Sequence, residues 1–160
     1  MRIVIEGGHV KFTLDIDSKI SIITGMSAKH KTWMVDVASI GEPAYKISIS
    51  NPGYSIQVLG KNTWAGILAI GESNGRKCVY IVDDQDFIVS REFIKAVKDN
   101  KTGYFIIISR IAGSIFYGGC SVYTLESVGK ENFLLPLHTV LGNTLIEVGR
   151  NGVEGVMDKI

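Results

Sequence analysis

The sequence predicts an α/β fold: a mostly parallel central sheet with flanking helices and added β-hairpins. Three stretches carry that expectation. The first is the apolar run from Ile20 to Ile23, which stops at Gly25 and is followed by Lys31-Thr32 and a helix-like segment from Trp33 to Ser39. The second is Cys78-Val-Tyr-Ile-Val82, five strand-favouring residues ending abruptly in Asp83-Asp84. The third is Tyr104-Phe-Ile-Ile-Ile108, which ends in Ser109-Arg110. A strand, a loop closing on Lys-Thr and a helix, with an acid-tipped strand later, make the expected domain P-loop NTPase-like.

Composition sets the frame. At 160 residues and 46% hydrophobic, the chain suits one compact domain spanning 1–160 with a real core. Residues 143–160 read as the remnant start of a truncated C-terminal region. The net charge of +1 supplies no basic field for nucleic acid or an anionic membrane surface. Cys78 and Cys120 stand far apart, with no zinc-type or disulfide-framework spacing, so a reducing, cytoplasmic setting is expected. No apolar run reaches membrane-spanning length, and no signal-peptide pattern opens the chain.

In chain order, Ile3 and Ile5, then Val10, Phe12, Leu14 and Ile16, alternate on either side of Gly7-Gly8 and predict a β-hairpin. Lys19–Thr24 is more continuously apolar, as befits a strand buried on both faces. Trp33, Met34 and Val37 are the inward residues of the helix that follows, which Gly41-Glu42-Pro43 ends. Ala44–Ser50 and Tyr54–Leu59 alternate around Asn51-Pro52-Gly53, as a second hairpin or as strands in different parts of the sheet. Asn62 or Thr63 caps a helix running through Ile70, and Gly71 to Lys77 reads as a polar loop. Ser90 caps the next helix, with Val89 and Ile94 spaced as a hydrophobic staple, and Gly103 marks its exit. The strands on either side of that helix form a βαβ unit. After the glycine-rich Gly113–Gly119 loop with Phe116 and Tyr117, Ser121–Glu126 and Asn132–Leu137 flank a turn at Gly129-Lys130. Thr144–Val148 is one more strand, and Val153–Ile160 a short terminal helix.

The chemistry assembles from the strand ends. A helix N-terminus preceded by a loop of free N–H groups binds phosphate, which marks Gly25, Met26, Ser27, Ala28, Lys29, His30, Lys31 and Thr32 as nucleotide-binding. Lys31 reaches the phosphates, and the Thr32 hydroxyl takes one Mg²⁺ position. Asp83, ending an apolar strand, is the second Mg²⁺ residue, and Asp84 beside it is the catalytic candidate that polarises an attacking water. Ser109 and Arg110 end the third strand, where a γ-phosphate sensor stands. The implied ligands are ATP and Mg²⁺. The plainer alternatives are a basic strand-to-helix turn at 25–32, an acidic pair opening a solvated loop at 83–84, and a surface ion pair at Arg110. Lys29, His30 and Lys31 also read as a small basic patch, but no Lys/Arg cluster or interleaved aromatics accompany them. His9 and His138 are lone histidines in strand-like surroundings.

On these residues the chain resembles the N-terminal ATPase part of small P-loop proteins of Firmicutes and their mobile elements. Those are related to the ABC/AAA-like ATPases preceding a Toprim-like region in the overcoming-lysogenisation-defect nucleases. The likeness rests on the hairpin before Ile20, the Gly25–Thr32 loop, the Val79–Asp84 strand and Tyr104–Arg110, and extends through Ser121-Val-Tyr123 and Phe133-Leu-Leu-Pro-Leu137. The chain departs from that pattern in two places. His30 stands where the family has glycine, and Gly149-Arg150 stands where an acidic pair is expected. With Ile160 the last residue, no Toprim-like metal site is expected within these residues, and no ABC-type signature helix is evident.

Two functions follow as expectations. The first is a nucleotide-binding protein of phage or mobile-element type, a slow Mg-dependent ATPase if active. The alternative is a catalytically degenerate relative that acts as a protein-binding module, such as a phage-borne inhibitor of a host defence system. A protein partner or homo-oligomer fits either reading; nucleic acid and membrane do not.

Overall fold

The structure is a computed structural model. It describes residues 1–8, 10–24, 34, 36, 39, 45–83, 86–109, 120–141, 144–148 and 154–158. Among the described residues eleven strands form one sheet: β1 (Arg2–Gly7), β2 (Val10–Asp15), β3 (Ile20–Thr24), β4 (Lys46–Ile49), β5 (Ser55–Leu59), β6 (Cys78–Val82), β7 (Gly103–Ile108), β8 (Ser121–Val128), β9 (Glu131–Leu141), β10 (Thr144–Val148) and β11 (Glu154–Asp158). The helices with described bounds are α1 (Trp64–Ser73), a 3₁₀ turn at Asp86–Val89, and α2 (Arg91–Asp99), and Met34, Asp36 and Ser39 are also helical. The main strand order is β4-β1-β2-β9-β8-β3-β7-β6-β5, with β10 and β11 continuing from β9.

This corrects the expected fold class. The sheet is mixed, not mostly parallel. Parallel pairings at β2–β9, β3–β8, β3–β7, β6–β7 and β5–β6 are matched one for one by antiparallel pairings at β1–β2, β1–β4, β8–β9, β9–β10 and β10–β11. The hairpins are not additions to a helix-flanked core. β2 joins the sheet through β9, and β1, β2 and β4 form a structural layer of their own. The physical reason lies in the alternation. A hairpin with Ile3, Ile5, Phe12 and Leu14 on one face must bury that face, and another sheet face serves as well as a helix.

Two apolar clusters show the layers. Leu68 of α1 and Phe93 and Val97 of α2 pack with Ile20, Ile22, Tyr80, Val82, Phe105 and Ile107 on one face of the parallel run. On the other face, Ile3, Ile5, Phe12 and Leu14 pack with Ile23, Val79, Ile81, Ile106 and Ile108, and Met34 joins them. Burial on both sides explains why β3 and β6 are buried at every residue. Connectivity requires the same curl. β4 and β5 are the two ends of the main strand order, yet only the chain from Ile49 to Ser55 links them. That length spans at most about 20 Å when extended, so the sheet turns back on itself. The choice left open for Ala44–Ser50 and Tyr54–Leu59 is thereby resolved: they lie in different parts of the sheet.

The outward face of the antiparallel arm carries a row of charges ordered by sign. Lys46, Glu6, Lys11 and Glu131 stand in one row across β4, β1, β2 and β9, with charges alternating. Arg2 and Asp15 form an ion pair at 2.7 Å. Slipping the register by one residue would turn Ile3 and Ile5 outward and break this row.

Several local expectations hold. Ser90 caps α2, its Oγ accepting from the Phe93 N–H at 3.2 Å. β8 and β9 pair antiparallel around Gly129, whose φ of 61° suits glycine. Thr63 is the N-cap of α1, but its hydroxyl serves the preceding turn, accepting from Gly60 N–H at 3.1 Å. That helix continues to Ser73, three residues past Ile70. The expected terminal helix at Val153–Ile160 is instead β11, which pairs antiparallel with β10. Residues 154–158 read Glu, Gly, Val, Met and Asp beside an available strand edge, and a short segment of weak helical preference takes the paired state there.

Candidate functional site

The parallel strands β3, β7 and β6 are neighbours and end together, so their carboxyl ends share one rim of the sheet. Ile23 is opposite Ile108, and Val82 is opposite Ile107. The Ser109 N–H donates to the Ile23 carbonyl at 3.0 Å, binding the end of β7 to the end of β3. On the outer side of β6, Leu59 is opposite Val82, which brings the Gly60–Thr63 turn next to Asp83. On the other side of β3, Thr24 is opposite Thr124 of β8. Carboxyl ends of adjacent parallel strands are where open α/β sheets present ligand-binding groups.

The pleat divides these groups between the faces. Val79 and Ile81 belong to the strand-covered cluster, so alternation directs Asp83 toward that side. Phe105 and Ile107 belong to the helix-covered cluster, so Ser109 follows them. Ile20 and Ile22 lie on the same helix-covered side, and Thr24 continues their alternation. Ser109 and Thr24 are buried and Asp83 is half-buried. Met34, two residues beyond Thr32 in sequence, packs in the cluster on the Asp83 side.

Of the residues expected at the site, Asp83 and Ser109 are thus on one rim. Gly25, Met26, Ser27, Ala28, Lys29, His30, Lys31 and Thr32, together with Asp84 and Arg110, lie outside the described residues, as does His9. Cys78 and Cys120 are buried free thiols, with no disulfide. Among the described residues no group of three or more His, Cys, Asp or Glu side chains gathers as a metal cage. Mg²⁺ bound together with phosphates needs only one or two carboxylates, and Asp83 is a described carboxylate at this rim. The sequence reading missed Thr24, the Gly60–Thr63 turn and Thr124. Each ends or follows a strand, but their shared rim becomes visible only with the strand order.

The opposite rim is a structural polar belt. Lys19 Nζ donates to the Lys98 carbonyl at 3.1 Å and to that of Asn100, closing the C-terminal end of α2 with a cation. Burial holds the Lys19 ammonium below the usual lysine range, opposed by Glu72 and Asp99. Asn100 Oδ1 accepts from Gly103 N–H at 2.8 Å and Thr102 N–H at 3.1 Å, tying the helix exit to β7. Tyr123 donates to Asp17 at 2.9 Å; burial first, and that carboxylate second, push its phenol up to about 12. These groups anchor β3 at its entry while leaving the carboxyl rim to the loops.

Compared with protein-family models and with curated proteins, the chain gives no significant match. No helix among the described residues is long and apolar enough to cross a membrane.

Proposed function

We propose that the protein binds a nucleoside triphosphate with Mg²⁺ at the carboxyl rim of β3, β7 and β6. The observation that carries the reading is the meeting of three strand ends there. The loop containing Lys31 and Thr32 follows one end, and Asp83 and Ser109 occupy the others. Lys31 and the loop N–H groups hold the phosphates, and Thr32 and Asp83 are the Mg²⁺ residues. The ion, when bound, neutralises charge on the β- and γ-phosphates. In hydrolysis Asp84 accepts the proton of the attacking water, whose oxygen bonds to the γ-phosphorus as the bond to ADP breaks. His30 stands where the phosphate-loop pattern has glycine, and slow turnover is the expectation that substitution carries. The likeness to mobile-element ATPases favours the same reading and a cytoplasmic setting.

The test is the thermal midpoint with and without Mg·ATP, in wild type and in Lys31→Ala. Saturation to a hundred times Kd stabilises the folded state by about 2.7 kcal/mol, a shift of several degrees. Wild type without a shift overturns nucleotide binding; an equal shift in Lys31→Ala overturns the residue assignment. A second reading, a protein-binding module, draws on one observation: Ile70 of α1 is 55% exposed.

A further inference from the structure

Among the described residues two neighbouring elements present uncovered chemistry on one side. The first is the β5 edge. Among the described residues β5 pairs with β6 alone. The Ser55 N–H donates to the Lys77 carbonyl at 3.2 Å, so the main-chain groups of Ser55, Gln57 and Leu59 face β6. Those of Ile56 and Val58 therefore face outward. Tyr54–Leu59 contains no charged residue, proline or glycine, whereas the opposite edge strand, β4, begins with exposed Lys46. Charges and prolines are the usual guards of a free edge, and β5 has none.

The second element is α1, which connects β5 to β6 and is apolar nearly all round. A helix of that character calls for cover on more than one side. Trp64, Ala65, Leu68 and Ala69 line the cleft of about 260 Å³ toward α2. Helical spacing puts Gly66 and Ile70 on the side away from α2, toward the β5 edge. Ile70 is the exposed large side chain there.

We propose that the β5 edge and the adjoining side of α1 form the contact of a two-fold homodimer, β5 pairing antiparallel with β5 of a second copy about Gln57. In that register Ile56 stands opposite Val58 of the second copy, and Val58 opposite its Ile56. The outward N–H and C=O groups of both residues are then satisfied reciprocally. A single strand pair covers less than the roughly 800 Å² per partner typical of a stable contact. The Ile70 side of α1 adds apolar area beside the strand pair, and the two-fold axis brings both copies of it together. The edge carries no charge that would select or orient a foreign strand, whereas its own symmetric copy fits it at every outward group.

The test is solution mass by light scattering, joined to a crosslinking measurement. Wild type at about 100 μM, a range in which weak specific contacts are populated, is expected as a dimer. Ile70→Lys alters an exposed position. Val58→Pro removes an outward N–H and no bond to β6. Each is expected to weaken association at least about tenfold, with the far-UV spectrum unchanged. Gln57→Cys, at the symmetry axis, is expected to form a covalent dimer on mild oxidation, and Lys61→Cys is not; Cys78 and Cys120 are buried and stay silent. A monomeric wild type, a dimer insensitive to both folded variants, or equal crosslinking through Lys61→Cys overturns the proposal.

Discussion

Tyr80 shows how much one side chain constrains. It is wholly buried on β6, stacked on Phe105 at 5.1 Å between ring centroids, and it forces two neighbours to be glycine. A Cβ at Gly71 would lie 2.5 Å from its hydroxyl oxygen, and one at Gly103 would lie 2.6 Å from its ring. That hydroxyl has no partner of hydrogen-bond geometry among the described residues. Burial, with the nearby Cys78 thiol next, pushes its phenol up to about 12. An orphaned buried hydroxyl is costly, so Tyr80→Phe is expected to be neutral or stabilising by up to about 1 kcal/mol. Gly71→Ala alone is expected to destabilise through the clash. In the Tyr80→Phe background the nearest atom is the ring carbon at 3.8 Å, and the same change should stabilise by roughly 0.5–1 kcal/mol through helix propensity. Urea unfolding of the four variants checks this, and a Gly71→Ala effect independent of Tyr80 would refute it.

Among the elements, α1 and α2 are held by different means. α2 has strong amphipathic character, a Ser90 cap, Glu92 in its first turn, Lys98 in its last and Lys19 at its exit. Its sequence specifies it almost unaided. α1 has a cap residue that does not cap and few charges, so it depends on Leu68 and Gly71 packing over β6. Ser90→Ala is therefore expected to cost about 1 kcal/mol. Thr63→Ala should cost α1 itself little, its effect coming from the lost Gly60 turn contact. Chemical denaturation of both variants gives the comparison, and equal losses attributable to the helices would contradict it.

For the whole molecule, the parallel strands are shared by two clusters, each built on alternate residues of the same β3, β6 and β7. Phe93 lies in the helix-side cluster and Phe12 in the strand-side cluster, both fully buried. Truncating either to alanine is expected to cost about 3–5 kcal/mol. Because no strand of the parallel run belongs to one layer alone, each variant should still unfold in a single transition. In a Trp33→Phe background, tryptophan fluorescence, reporting Trp64 on the helix side, and far-UV dichroism should coincide; separated midpoints would show that the layers unfold independently.

Sequence alone determined what depends on near neighbours: the β1–β2 and β8–β9 hairpins, the Ser90 cap, the doubly buried strands β3, β6 and β7, and Asp83 and Ser109 as strand-end residues. Period, turn chemistry and capping act over a few residues and are written directly in the chain. Only the tertiary structure decided that the sheet is mixed, that β4 and β5 part to opposite ends of it, and that residues 154–158 pair as a strand. It alone brought Thr24, Asp83 and Ser109 to one rim. Each of those outcomes turns on which distant apolar face a strand covers, and the same alternating pattern satisfies a helix, a strand neighbour or another sheet equally well.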